Sequence, residues 1–166
     1  INDYYDQNLK LSRLEEIKNS LSSKKKDSWV FYKNSIHNME ALEDIFSDNK
    51  PNIVINLAAQ AGIRFSIEKP SLYFQSNLNG FFNILENCKK HQVEHLVYAS
   101  SSSVYGSNLN YPFSEKHIVN TPLSFYAATK ISNEMMAYSY SNIYELPITG
   151  LRYFTVYGPW GRPDMA

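Results

Sequence analysis

The sequence predicts an α/β protein built around a doubly wound parallel sheet. Apolar strands alternate with helical segments along the 166 residues, and strands connected in this way pair in parallel through right-handed crossovers. Small and polar side chains follow three of the strands, as expected at the carboxyl edge of such a sheet, where ligands bind. A chain of this length is enough for about one domain with a sizeable core.

The first third of the chain predicts two helices and one strand. A helix over residues 5–21 carries an apolar stripe that includes Ile17. A short strand is expected over residues 29–32, in "WVFY". The segment "NMEALEDIF" predicts a second helix, with Asn38 as its N-cap.

The remainder predicts three strands separated by two long helices. In "PNIVINLAA", the continuous apolar run 53–55 indicates a strand buried on both faces. Residues 71–91 predict a helix whose apolar stripe begins at Phe74, and residues 124–144 predict another. The strand in "EHLVYASSSSVYG" ends in a run of serines, and a last strand in "PITGLRYFTVYG" runs into a loop.

Composition excludes several classes of protein and site. The formal net charge is +0 at pH 7, which argues against a nucleic-acid-binding protein held by phosphate contacts. Cys88 is the only cysteine, so we expect no disulfide, no multi-cysteine metal site and a reducing, cytoplasmic compartment. The histidines have no metal-ligand spacing, so no metal is expected, and no apolar stretch approaches the ~20 residues of a membrane span. Because the chain begins at Ile1 and not Met, we expect it to be part of a longer protein.

The segment "SFYAATK" places Tyr126 and Lys130 four positions apart, on one face of the predicted 124–144 helix. In a chain with 13 tyrosines one such pair arises by chance, so the context has to support it. That context is the serine run, which ends the strand before this helix and includes Ser101. Two interpretations stay open: a catalytic pair, or a tyrosine packed in the core beside a solvated lysine.

The catalytic interpretation has a simple chemical basis. A tyrosine near its reference pKa of ~10 is a poor base, but a lysine ammonium close to it favours the phenolate. A serine hydroxyl such as that of Ser101 could hold the substrate oxygen whose proton the phenolate removes. The three residues would then deprotonate an alcohol while its carbon gives up a hydride to a nicotinamide.

Five stretches of the chain resemble a known family. In order, "YASSSSVYG", "SFYAATK" and "LRYFTVYGPWGRPDMA" resemble the extended short-chain dehydrogenase/reductases, the NAD-dependent nucleotide-sugar epimerases and dehydratases. "INDYYDQNLKLSRLE" and "LAAQAGIRFSIEKP" are similar to the branch that contains the UDP-glucuronate 4-epimerases. The resemblance covers nearly the whole chain, and it implies that residues 1–166 are part of an NAD-binding, Rossmann-type domain.

The resemblance implies roles for individual residues. Tyr126 resembles the catalytic base, Lys130 its partner and Ser101 the triad hydroxyl, with the neighbouring serines as alternatives for that hydroxyl. The implied contacts with NAD come from Leu57, Ala58, Ala59, Gln60, Asn77, Ser100, Tyr126, Lys130, Tyr153 and Phe154. The implied contacts with the substrate come from Ser101, Ser102, Ser103, Thr155 and Arg162.

Three of these residues also have an ordinary structural interpretation, which stays open at this point. Asn77 could satisfy backbone groups, Phe154 could belong to the core, and Arg162 could be solvated. Thr155 stands where galactose-type epimerases usually have asparagine, which favours a uronate substrate. A guanidinium at Arg162 would suit either a carboxylate or a diphosphate.

The implied reaction is the interconversion of UDP-glucuronate and UDP-galacturonate. Tyr126 takes the proton of the sugar 4-hydroxyl, C4 passes a hydride to NAD, and the 4-keto sugar turns over and takes the hydride back on its other face. Relatives commonly form homodimers through helices like 71–91 and 124–144, so a homodimer of the full-length protein is expected.

Two alternatives remain, a nucleotide-sugar 4,6-dehydratase and an inactive truncated chain. Dehydratases commonly have Asp-Glu after the triad hydroxyl, whereas this chain has Ser102-Ser103. The family's glycine-rich phosphate loop, in the first βαβ unit, is absent, as is the C-terminal substrate domain. In the strand order 3-2-1-4-5-6, strands 1 and 2 would lie between the strands at 29–32 and 53–55. We therefore expect the chain alone to fold poorly, to be inactive and not to bind NAD.

Overall fold

The computed structural model describes residues 3–21, 29–161 and 163. They form two compact units, one from Ile1–Asn34 with Thr155–Ala166 and one from Ser35–Phe154. The first unit contains the helix α1, Gln7–Ser20, which the side chain of Asp6 caps. None of its residues is buried, so the predicted apolar stripe, Ile17 included, does not form part of a core.

The second unit contains the sheet and the helices that pack on it. The α-helices are α2 Met39–Asn49, α3 Ile63–Glu68, α4 Pro70–Tyr73, α5 Gly80–Lys90 and α6 Phe125–Tyr144, with a π-helix at Phe74–Asn79 and a 3₁₀-helix at Ser102–Tyr105. The strands are β1 Ile53–Asn56, β2 His95–Ala99 and β3 Ile148–Leu151.

The three strands form one parallel sheet in the order β1-β2-β3. This confirms the predicted α/β architecture with parallel pairing and helical connections. Asn56 pairs with Tyr98, and Ala99 pairs with Leu151, so the carboxyl ends of all three strands lie at one edge. The segments after these ends carry most of the residues predicted to bind ligands.

The core lies between the sheet and three of the helices. Leu96 and Tyr98 of β2 point into it, and the alternate residues of β2 are half-buried. The buried cluster consists of Leu42, Phe46, Phe81, Ile84, Leu85, Cys88, Val93, Leu96, Tyr98, Ala137 and Leu146. Helices α2, α5 and α6 are therefore fixed to the sheet by apolar contacts, and α6 is the helix that carries Tyr126 and Lys130.

Two strand predictions are corrected by the structure. Residues 29–32 are described and form no strand, because they are not part of the hydrogen-bond ladder between neighbouring chain segments that defines one. Strand β1 is present but is not buried on both faces: Ile53 is 60% and Ile55 64% exposed. Only Val54 packs against the core, because the described elements cover one face of β1.

The predicted helix over 71–91 is present but is not one continuous α-helix. It is divided into α4, the π-helix Phe74–Asn79 and α5. A π-helical turn contains an extra residue and shifts the buried face, so Tyr73, Asn77 and Phe81 are buried while Phe74 is exposed. The helix at 124–144 and the N-cap of α2 at Asn38 are confirmed, the latter by a 3.2 Å hydrogen bond from the Ala41 N–H.

Candidate active site

The first turn of α6 positions the tyrosine of the candidate pair. Ser124 caps the helix, its hydroxyl oxygen accepting a 3.0 Å hydrogen bond from the Ala127 N–H. Tyr126 is half-buried, with its ring edge-on to that of Tyr73 at a centroid distance of 6.2 Å. Tyr73 is fully buried and donates its hydroxyl to the carbonyl oxygens of residues 61 and 62. The Tyr126 ring therefore rests against a fixed neighbour and keeps an accessible side.

Lys130 lies on the same face one turn later and is 3% exposed. Its Nζ lies 5.9 Å from the centroid of the Tyr126 ring, and it donates a 2.7 Å hydrogen bond to the carbonyl oxygen of Ala99, the last residue of β2. Burial lowers the pKa of Lys130 to about 8. The alternative of a core tyrosine beside a solvated lysine is therefore wrong for both residues.

The ammonium of Lys130 has hydrogen-bonding capacity beyond the bond to Ala99. A lysine ammonium has three donors, and this one makes a single hydrogen bond to the described residues. A buried cation with unused donors at the carboxyl edge of a parallel sheet suits an oxygen-rich ligand such as a ribose diol.

The serine run is divided by the hydrogen bonds its members make. Ser100 donates its hydroxyl to Glu134 Oε1 at 2.5 Å. The Ser101 hydroxyl oxygen accepts from the Ser103 N–H at 3.2 Å, as the N-cap of the 3₁₀-helix, which leaves its O–H free to donate. Ser100 and Ser101 are buried, whereas Ser102 and Ser103 are half-buried. Of the two buried serines, Ser101 is therefore the one whose hydroxyl proton is available to a ligand.

Asn77 connects the end of β1 to α6. Its amide oxygen accepts from the Gln60 N–H at 2.7 Å, and its amide nitrogen donates to the Gln60 carbonyl at 3.0 Å and to the Thr129 hydroxyl at 3.1 Å. The structure thus gives Asn77 the backbone-satisfying role that the sequence left open. Leu57 and Ala58 are exposed and Ala59 is half-buried, so this loop presents an open backbone.

The candidate residues that follow β3 have different surroundings from one another. Tyr153 accepts a 2.8 Å hydrogen bond from the Ser102 N–H at its carbonyl, which brings the ends of β2 and β3 together. Phe154 is exposed but its ring lies beside those of Tyr105 and Phe113, 6.4 and 6.2 Å between centroids. Thr155 is an exposed residue of the other compact unit, so its substrate role stays a prediction, and the predicted Arg162 lies outside the described residues.

Sequence reasoning missed two charged residues beside this site. Glu134 continues the four-residue spacing of Tyr126 and Lys130 along α6, and this spacing was the available signal. Arg152 donates from Nε to Glu134 Oε1 at 2.9 Å and from a terminal nitrogen to Oε2 at 2.8 Å. Its guanidinium carbon also lies 5.0 Å from the centroid of the Tyr105 ring.

Neither clusters of metal-ligating side chains nor membrane-spanning helices occur within the described ranges. No three His, Cys, Asp or Glu side chains come together there as metal ligands would. None of the helices in these ranges combines the length and apolarity needed to cross a membrane.

Comparison with known proteins places the chain in a family. The family model described as GDP-mannose 4,6 dehydratase matches residues 2–165. Protein CapI of Staphylococcus aureus is 54% identical, with 100% of this chain matched to 48% of CapI. UDP-glucuronate 4-epimerase 4 of Arabidopsis thaliana is 48% identical over 99% of this chain and 36% of its own length.

A solved structure gives the same result at the level of the fold. It is the UDP-glucuronic acid 4-epimerase of Bacillus cereus in complex with UDP-glucuronic acid and NAD, which matches 96% of this chain and 48% of its own with a TM-score of 0.83 and 34% identity. The chain thus spans about half, or less, of the length of these relatives. With its Rossmann-type parallel sheet and a matching family model over residues 2–165, the chain belongs to the family of NAD-dependent nucleotide-sugar epimerases and dehydratases.

Proposed function

We propose that the full-length protein is an NAD-dependent 4-epimerase of a UDP-sugar, converting UDP-glucuronate to UDP-galacturonate. The observation that carries the proposal is the half-buried Tyr126 above the buried Lys130 at the carboxyl edge of the sheet. The similarity of the chain to UDP-glucuronate 4-epimerases of two organisms supports the choice of substrate.

The chain's own residues divide the proton chemistry between them. Tyr126, as its phenolate, removes the proton of the sugar 4-hydroxyl and later returns one to the 4-keto oxygen. Ser101 donates its free O–H to the same oxygen and fixes it in place. The Lys130 ammonium favours the phenolate electrostatically. For the full-length protein we retain the sequence-based predictions that Thr155 and Arg162 bind the substrate, Arg162 through the substrate's carboxylate or its diphosphate.

The residues present fit the nicotinamide-ribose half of NAD. The two unused donors of Lys130 suit the ribose hydroxyls, and the segment from Leu57 to Gln60, with Ser100, Tyr153 and Phe154, lines the same edge of the sheet. NAD, when bound, accepts a hydride from C4 and returns it to the opposite face of the sugar. The glycine-rich turn that binds the pyrophosphate in this fold is not among the 166 residues, so binding is proposed for the full-length protein only.

The proposal is tested by supplying the full-length protein with UDP-glucuronate and NAD and separating the products. We expect UDP-galacturonate to form, and Tyr126→Phe to lower kcat by about 100-fold or more, the range expected for loss of a general base. A matched control is Tyr144→Phe, an exposed tyrosine at the C-terminal end of the same helix. Normal turnover by Tyr126→Phe would sink the proposal.

The second candidate is a nucleotide-sugar 4,6-dehydratase, which the description of the family model supports. That reaction needs an acid/base pair beside the triad hydroxyl, but residues 102 and 103 are serines whose backbone forms the 3₁₀-helix. The same experiment separates the two candidates, because a dehydratase releases water and gives a lighter keto sugar, whereas an epimerase leaves the mass unchanged.

We further propose that the full-length protein forms a homodimer through α5 and α6. Both helices expose large apolar side chains, Phe82 on α5 and Met135 and Tyr138 on α6. Burial of such side chains is a common driving force of self-association. Sedimentation equilibrium of the full-length protein gives the mass that decides this.

A further inference from the structure

Glu134 occupies a junction between three elements of the sheet edge. Its carboxylate is on α6, it accepts the Ser100 hydroxyl at the end of β2, and it accepts two N–H groups of Arg152 just after β3. Its side chain is 13% exposed and that of Arg152 is 17% exposed. A nearly buried ion pair with this fork geometry is rigid, since both carboxylate oxygens are engaged.

Two residues of α6 make hydrogen bonds to consecutive residues at the end of β2, its last residue Ala99 and the following Ser100. Lys130 donates to the Ala99 carbonyl at 2.7 Å, and Glu134, one turn later, accepts from the Ser100 hydroxyl at 2.5 Å. The next residue along the chain is Ser101. The position of Ser101 relative to the face of α6 that carries Tyr126 is therefore set by these two contacts.

A backbone hydrogen bond adds a second connection at the same level. The Ser102 N–H donates to the Tyr153 carbonyl at 2.8 Å, and Arg152, the residue before Tyr153, is tied to Glu134. Hydrogen bonding to Glu134 raises the pKa of the Arg152 guanidinium above its ordinary value, so Arg152 faces the carboxylate as a cation. The end of β2 is thus held from the helix side and from the β3 side through a single carboxylate.

We propose that Glu134 is a positioning residue for catalysis: by binding Ser100 and Arg152 it fixes the hydroxyl of Ser101 at the Tyr126–Lys130 face. The proposal rests on the proposed function, in which Ser101 binds the oxygen that reacts. Glu134 itself touches neither substrate nor cofactor in this account, and its effect on turnover passes entirely through Ser101.

A merely structural role would have different consequences. Loss of a structural ion pair lowers the free energy of unfolding and can leave the turnover rate of the folded enzyme unchanged. If the turnover rate does fall, it falls equally with and without the Ser101 hydroxyl. Loss of a positioning contact lowers kcat with little change in KM, and does so only while Ser101 is present to be displaced.

The test is a double-mutant cycle in the full-length protein with Glu134→Gln and Ser101→Ala. Glutamine keeps the shape, but an NH2 donor replaces one of the two carboxylate oxygens that accept from Arg152, so the paired hydrogen bonds are lost. We expect Glu134→Gln to lower kcat about 10- to 100-fold, in line with the cost of misplacing a catalytic group, while KM changes less than about 3-fold. In the Ser101→Ala background the same substitution should have less than about a 2-fold effect on kcat.

A second measurement, which does not depend on turnover, accompanies the double-mutant cycle. Hydrogen exchange measured on the peptide containing residues 101–103 reports whether this segment is held, and Glu134→Gln should speed its exchange. The matched control is Glu145→Gln, at the exposed C-cap of the same helix, which should change neither exchange nor kcat. If Glu134→Gln does not fold, Arg152→Lys gives the same comparison, because lysine cannot make the paired hydrogen bonds of the guanidinium to Glu134.

The outcomes separate the two proposals. Unchanged exchange in the segment, or an equal fall of kcat in both backgrounds, would overturn the positioning role of Glu134. Absence of turnover of any UDP-sugar by the wild-type protein would overturn the proposed function, and with it the catalytic consequence of the contact, even where exchange shows that Glu134 holds the segment.

Discussion

At the scale of the residue, Lys130 is the most informative side chain of the site. Burying an ammonium is unfavourable, and this one retains a single protein hydrogen bond, to Ala99. Such a cost is usual at functional sites, where a perturbed ionisable group has a task. The spacing of Tyr126 and Lys130 could be read from the sequence, but only the structure shows that Lys130 is buried and not solvated.

The lowered pKa of Lys130 predicts a specific pH dependence of stability. Between about 8, its value in the folded protein, and 10.5, its ordinary value, the unfolded chain binds the proton that the native state has lost. Stability therefore rises with pH across this window and gains nothing below it. Relative to Lys130→Met, the wild-type free energy of unfolding should rise by on the order of 2–3 kcal/mol.

The measurement is urea unfolding of both full-length proteins at pH 7 and pH 10. Because the comparison is a difference, other titrating groups cancel. The corresponding substitution at the exposed Lys116 serves as the control for removal of a lysine charge. A flat difference for Lys130→Met would show that the lysine is hydrated in solution.

At the scale of the element, the π-helix Phe74–Asn79 determines which residues of its segment face the site. A regular α-helix over 71–91 would follow from the apolar periodicity, and this is what the sequence predicts. The extra residue of the π-turn instead brings Asn77 into the interior, 1% exposed, where it bonds to Gln60 and Thr129. Apolar periodicity cannot reveal the π-helix, because the hydrogen bonds that stabilise it join Asn77 to residues 17 and 52 positions away in the sequence.

This arrangement predicts that Asn77→Ala is strongly destabilising. The substitution removes the side-chain partner of the Gln60 N–H and of the Gln60 carbonyl in the interior, and each buried group that loses its hydrogen bond costs about 1–3 kcal/mol. The Thr129 hydroxyl also loses a contact but keeps its bond to the Tyr126 carbonyl. We expect a loss of roughly 2–5 kcal/mol in the free energy of unfolding of the full-length protein. Chemical denaturation measures it.

The control for Asn77→Ala is Asn79→Ala in the same π-helix. Asn79 is exposed, so the same change of residue type there should cost less than about 1 kcal/mol. Equal effects at both positions would mean that the hydrogen bonds of Asn77 contribute nothing particular to stability.

At the scale of the whole molecule, the sheet has an apolar side that the described residues leave uncovered. On β1, the side chains of Ile53 and Ile55 are 60% and 64% exposed, and Leu57 beyond them is 62% exposed. β1 is also at the edge of the described sheet, and an exposed apolar edge strand is a template for association. The apolar run in the sequence is typical of a strand covered on both faces, so this surface fits the interior of a larger assembly of elements.

This surface predicts opposite effects of one substitution in two forms of the protein. In the 166-residue chain alone, Ile55→Lys should reduce aggregation, because a charge on an edge strand blocks further pairing. In the full-length protein, where we expect β1 to be covered, the same substitution should destabilise by several kcal/mol, on the order of 3–5. Light scattering of the short chain and thermal unfolding of the full-length protein provide the two measurements.

Ile17→Lys is the matched control for both forms. Ile17 is an exposed isoleucine of the helix α1 and belongs to no strand, so its replacement should change scattering and stability little. If Ile55→Lys has no effect on the short chain, then the edge of β1 is not the surface through which that chain associates.

The sequence by itself determined the order and type of most elements, the parallel sheet, the serine run at the end of β2 and the helical spacing of Tyr126 and Lys130. These features follow from local patterns: apolar runs, helical periodicity and the residues that stop a strand or cap a helix. Tertiary structure alone decided that Lys130 is buried, that Asn77 joins the end of β1 to α6, and that Glu134 joins Ser100 to Arg152. Each of these depends on contacts between residues distant in sequence, and the free energy of burying or pairing a polar group is fixed only when its neighbours in space are fixed.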